Sequence, residues 1–121
     1  MNVRSFVPMA AVADVRRSIA FYGLLGFAEM NTHTPEGGRD PVWAWLQSGG
    51  AQLMLARASA PVEAEKQAVL FYAYCDDVAA CRTRLVEAGI DAGPITRPFY
   101  APRGEFRIAD PDGYVVMVSH T

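Results

Sequence analysis

Strong metal donors are scarce in this chain. It has only two histidines, His33 and His120, among 121 residues. One stands beside a Thr/Pro/Gly loop and the other is the penultimate residue, both positions where side chains are usually solvated. The two cysteines, Cys75 and Cys81, are too few for a disulfide framework, and a chain of this length does not need one. Two reduced thiols fit a cytoplasmic setting. There is no basic run and the net charge is −2, which argues against nucleic acid or an anionic membrane as partner. No stretch approaches the roughly 20 apolar residues of a membrane span, and the first residues lack the apolar core of a signal peptide. No Ser/His/Asp or Cys/His set suggests a nucleophile. What remains is an ordinary globular composition, 51% apolar and 20% charged, long enough for one domain with a sizeable core.

The chain is written twice. Asp14 and Asp77 stand 63 residues apart, each after a short apolar run and each suited to cap a helix. The same offset carries Val15 onto Val78, Gly26 onto Gly89, Gly50 onto Gly113 and Met54 onto Met117. In the first copy the pattern predicts a strand over 4–12 and a helix from Asp14 with Val15, Ile19, Tyr22 and Leu25 on one side. Strands follow at 27–32, 42–46 and 51–55, the last two joined at Gly49-Gly50. In the second, strands are expected at 69–75, 90–97, 105–109 and 114–119, with a helix over 77–88 and a turn at Asp110-Pro111-Asp112-Gly113. The polar segment 59–67 links the copies. The result is an α+β chain of two βαβββ modules, 1–58 and 67–121, forming a single domain with a cleft between them.

Strand alternation predicts what faces that cleft. Phe106 and Ile108 must turn to the helices, leaving Glu105 and Arg107 on the other face. By the same count Gln52, Met54, Met117, Met9, Leu70, Tyr72 and Tyr74 face the cleft. Trp43 and Trp45 match Phe106 and Ile108 at the 63-residue offset, which sends them to the helix-facing core. Tyr100, in a proline-flanked loop with Phe99 and Arg103, suits a lid. Each feature has a plainer reading: methionines fill irregular cores, buried tyrosines satisfy their hydroxyls locally, and Glu105 with Arg107 can be a structural ion pair.

The segments VADVRRSIAFYGLLGF, YCDDVAACRTRLVEAG and GEFRIADPDGYVVMV resemble the vicinal oxygen chelate superfamily, which includes glyoxalase I, extradiol dioxygenases, fosfomycin-resistance enzymes and bleomycin-resistance proteins. The resemblance implies a glyoxalase/bleomycin-resistance-like barrel cleft and a homodimer. In metal-using members it also implies ligands on the first and fourth strands of each module. By the family motif those positions are Val7, Met54, Leu70 and Met117, none of which suits a hard divalent cation. Hence no cofactor is expected, and the expected partner is a small molecule. The ligand-binding set is Met9, Gln52, Met54, Leu70, Tyr72, Tyr74, Tyr100, Glu105, Arg107 and Met117, taking an apolar or aromatic ligand, with antibiotic sequestration as one possibility. The alternative is a metal-dependent lyase, isomerase or dioxygenase.

Overall fold

The computed structural model describes residues 1–121. The chain is an α+β protein that divides into two compact units, Met1–Val62 and Glu63–Thr121. In the first, β1 (Met9–Val12), α1 (Val15–Gly23), β2 (Ala28–His33), β3 (Trp43–Ser48) and β4 (Ala51–Arg57) follow in the expected βαβββ order. The sheet runs β1-β4-β3-β2, with β1 parallel to β4 and the other pairs antiparallel.

Helix α1 begins where it does because Asp14 is extended and its Oδ1 accepts a hydrogen bond from the Arg17 N–H at 3.1 Å. Such a cap is worth about 1 kcal/mol. The helix is closed by Gly26 at φ +94°, with the Phe27 N–H bonded back to the Tyr22 carbonyl at 3.1 Å. Its buried stripe is Val15, Ser18, Phe21 and Tyr22, while Ile19 and Leu25 are only half-buried. The stripe therefore keeps Val15 and Tyr22 of the expected set and adds Ser18 and Phe21, whose ring packs edge-on against Tyr22 with centroids 5.0 Å apart. Against this helix face the sheet buries Ala10, Val12, Ala44, Leu46, Leu53 and Leu55. Each large aliphatic side chain contributes roughly 1.5–3 kcal/mol.

The second unit holds a short 3₁₀ turn (Ala64–Lys66), β5 (Leu70–Cys75), α2 (Val78–Glu87), β6 (Glu105–Ala109) and β7 (Val115–His120). Asp77 caps α2 through the Ala80 N–H at 3.0 Å. The sheet has three strands, in order β5-β7-β6. The strand expected over 90–97 is not regular. Only Thr96 bridges to Glu105, and the Gly93 N–H reaches the Arg107 carbonyl at 2.9 Å. Pro94 has no N–H to offer a ladder. Arg82 of α2 takes up the Gly93 and Ala92 carbonyls, at 2.7 and 3.0 Å.

The two copies also differ in phase. Trp45 stands opposite Met54, and Arg107 stands opposite Met117. The methionines are 63 residues apart but their partners only 62, so the third strand is displaced by one residue. The cause is the turn. β3 and β4 join through Gly49-Gly50 alone, with Ser48 paired to Ala51. β6 and β7 join through a longer turn in which the Asp110 carboxylate accepts from the Asp112 and Tyr114 N–H groups, both at 2.9 Å. A one-residue slip turns every side chain over. Trp43 and Trp45 therefore lie on the face away from α1, contrary to the expectation, and Ala44 and Leu46 take the core places at 0% exposure.

Candidate ligand-binding faces

Each unit turns one sheet face to its helix, and the expected site residues lie on the other. In the second unit the register arranges that face in rows. Leu70, Val115 and Ala109 form one row, Tyr72, Met117 and Arg107 the next, and Tyr74, Ser119 and Glu105 the third. Neighbouring strands stand about 4.8 Å apart, so each row spans about 10 Å. Tyr72 and Tyr74 stack with centroids 6.0 Å apart at 25°. Both are well exposed, Tyr74 at 64%, which a core pair would not be.

The loop after the bridged segment adds Tyr100. A turn closed by the Ala101 N–H on the Pro98 carbonyl carries it, and Arg103 ties the loop to the Thr121 carbonyl at 2.7 Å. The Tyr100 hydroxyl approaches the Glu105 carboxylate and, more weakly, Tyr72. The Glu105 side chain, followed by desolvation, pushes the phenol pKa up to about 12. The approach stops short of a formed hydrogen bond. Neither carboxylate oxygen of Glu105 has a hydrogen-bond partner, although the residue is 1% exposed. Tyr100 is 60% exposed on a loop, so its hydroxyl is held loosely. No ion pair joins Glu105 to Arg107, which is exposed, so the structural ion-pair reading does not hold.

In the first unit the corresponding rows are Met9, Met54, Trp45 and Asn31, then Ala11, Ala56, Trp43 and His33. Gln52 sits one step further along β4, opposite Gln47, with its Oε1 accepting from the Ser5 hydroxyl at 3.4 Å. The structure thus brings Met9, Gln52 and Met54 onto one face of the first sheet. It brings Leu70, Tyr72, Tyr74, Glu105, Arg107 and Met117, with Tyr100 above, onto one face of the second. Sequence reasoning missed the two tryptophans. The two-residue Gly49-Gly50 turn was the signal, because it alone requires Trp45 opposite Met54. The Trp45 indole N–H is buried and has no partner.

Of the four positions that the resemblance assigns to metal ligands, Val7 and Leu70 are aliphatic and Met54 and Met117 offer thioethers, a donor set that does not suit a hard divalent cation. Met54 is flanked by Met9 and Trp45, and Met117 by Tyr72 and Arg107, so neither row adds a carboxylate or imidazole. No group of three or more His, Cys, Asp or Glu side chains is placed to hold an ion. Burial, then the neighbouring Cys81, pushes the Cys75 thiol pKa up, which disfavours its thiolate. No helix is long and apolar enough to cross a membrane.

A repeated strand–helix–strand unit with a parallel first-to-last strand pair, closed by an Asp-Pro-Asp-Gly turn in one copy, defines the glyoxalase fold class. The chain belongs to the Glyoxalase/Bleomycin resistance protein/Dioxygenase superfamily, whose family profile matches residues 6–118. A search of curated proteins finds no match. Among solved structures the fold is similar to a bleomycin-binding protein complexed with bleomycin, at 19% identity and TM-score 0.75, covering 98% of this chain and 99% of that one. It is similar to TnmS3, an antibiotic binding protein from Streptomyces sp. CB03234, at 22% identity and TM-score 0.78, covering 99% and 98%. It is also similar to the fosfomycin resistance protein FosX from Listeria monocytogenes, at 11% identity and TM-score 0.78, covering 98% and 94%.

Proposed function

We propose that this protein binds an apolar or aromatic small molecule, in the manner of antibiotic sequestration, with each unit's outward sheet face a candidate surface: Met9, Gln52 and Met54 on the first, and Leu70, Tyr72, Tyr74, Arg107 and Met117 on the second. The observation that carries the reading is the exposed, stacked pair Tyr72 and Tyr74 beside Met117 on a face turned away from the helix. Exposed contiguous apolar surface of this kind marks binding sites more often than it marks solvent-facing structure. The family's antibiotic-binding members support the choice of a small molecule. The reading treats the two repeats as one functional domain.

The protein works as a homodimer in the cytoplasm. Exposed Met9 and Tyr74 give each unit apolar surface that a second copy can cover, and two free thiols suit a reducing compartment. Light scattering giving a monomer mass at micromolar concentration would remove the dimer. The binding reading is tested by calorimetry with bleomycin and a panel of planar compounds on the purified, metal-analysed protein. Saturable binding without added metal is expected. Silence across the panel, or a stoichiometric divalent metal with turnover of a substrate, would overturn it.

A further inference from the structure

Glu105 is the residue that the fold leaves unfinished. Its backbone is fully used, with the N–H donating to the Thr96 carbonyl at 2.9 Å and its carbonyl accepting from the Thr96 N–H at 2.8 Å. Its carboxylate is buried, and neither oxygen has a hydrogen-bond partner. A buried carboxylate with no hydrogen-bond partner costs several kcal/mol. It belongs to the row Tyr74, Ser119, Glu105, beside the row that carries Tyr72, with the Tyr100 ring on the loop above.

We infer that Glu105 is the anchor for a cationic nitrogen of the ligand, an ammonium or amidinium group carried on an aromatic body. The inference rests on the small-molecule-binding reading above and names the ligand class for the same face. A cation supplies what the carboxylate lacks, N–H donors and opposite charge together. The Tyr100 ring beside the carboxylate favours a cation as well, since its π face carries negative potential. Arg107 is the one positive charge on this face, a row away, and its side chain is exposed. The cation therefore seats on the Ser119 and Tyr74 side of Glu105, away from the guanidinium. The aromatic body then lies along the stacked tyrosines, about two strand spacings, or roughly 10 Å, from the carboxylate.

The test uses three planar probes of similar size: proflavine, cationic at neutral pH; acridine, neutral there; and naphthalene sulfonate, anionic. Calorimetry on the parent protein should rank proflavine at least tenfold tighter than acridine, with the sulfonate weakest. Glu105→Gln should remove the preference, weakening proflavine about tenfold and leaving acridine within twofold. The control Glu87→Gln, on the exposed side of α2, should change neither. If acridine and proflavine bind the parent equally, or if Glu105→Gln keeps the preference, the anchor is wrong while the aromatic face stands. If no probe binds at all, both fall. Should Glu105→Gln fail to fold, the ranking on the parent protein still decides the inference.

Discussion

The third strands of the two units occupy matching places and present opposite chemistry. Trp43 and Trp45 stand where Glu105 and Arg107 stand in the other copy, opposite Ala56 and Met54 in one case and Ser119 and Met117 in the other. The first strands are reversed in turn, with Met9 and Ala11 where the second unit has Tyr72 and Tyr74. One sheet carries its aromatic surface on the third strand and the other on the first. The helix-facing sides are alike: Ala44 and Leu46 in one, Phe106 and Ile108 in the other, all buried. Repetition is kept where packing needs it and abandoned where the side chains face outward.

That comparison can be broken most decisively at Leu46. If the register holds, Leu46→Ala removes a fully buried side chain and costs about 2–5 kcal/mol in chemical denaturation. If the strand instead kept the 63-residue phase, Trp45→Ala would carry that loss and Leu46→Ala would cost almost nothing. A smaller effect separates the two turns. Gly113 has φ +87°, and a Cβ there would collide with the Ala64 Cβ, while Gly50 has open space and no positive φ. Gly113→Ala should lower stability by about 1–3 kcal/mol and Gly50→Ala by well under 1. In the melting temperature of a domain this size the first is a shift of several degrees.

Smaller again, Asp14→Ala and Asp77→Ala should each cost about 1 kcal/mol, and equally, because both caps bond the third residue on at nearly the same distance. Unequal losses would show that the helices differ in how firmly they are docked. The smallest effect is on Tyr100. Its raised pKa means that the unfolded chain releases the phenol proton first as pH rises. Stability is therefore unaffected below about pH 10 and declines between there and about 12. Glu105→Gln should bring the Tyr100 titration back down, read by ultraviolet absorbance against Tyr100→Phe. A titration that does not move would place the cause elsewhere.

The capped helices, the alternation of β4, β6 and β7 and the two-copy architecture were legible because each rests on local chemistry: an Asp at the N-cap, a Gly at the C-cap, a period of two. The third strand of the first unit was not, because the repeat was anchored on glycines on the far side of the turn. Gly50 and Gly113 align in sequence, yet Gly49 is the one with positive φ in its turn. Val42-Trp43-Ala44-Trp45-Leu46 reads as apolar on both faces, so composition could not choose between them. The 90–97 segment went astray for another reason. Arg82 satisfies its carbonyls from a helix, a long-range contact that no local pattern announces. In the second sheet Glu105, Arg107 and Met117 fell on the expected face because Phe106 and Ile108 left no alternative.

The extra residue in the Asp110–Gly113 turn is, in genetic terms, a single in-frame codon. A duplicated gene that gains or loses one codon between two strands re-faces the whole preceding strand in one event, without any substitution within it. Residues already selected for burial are offered to solvent and outward residues are drawn in. Only a strand that is apolar on both sides, as 42–46 is, can pass through that event and still fold. Such a strand leaves the two copies of one repeat free to present different outward side chains.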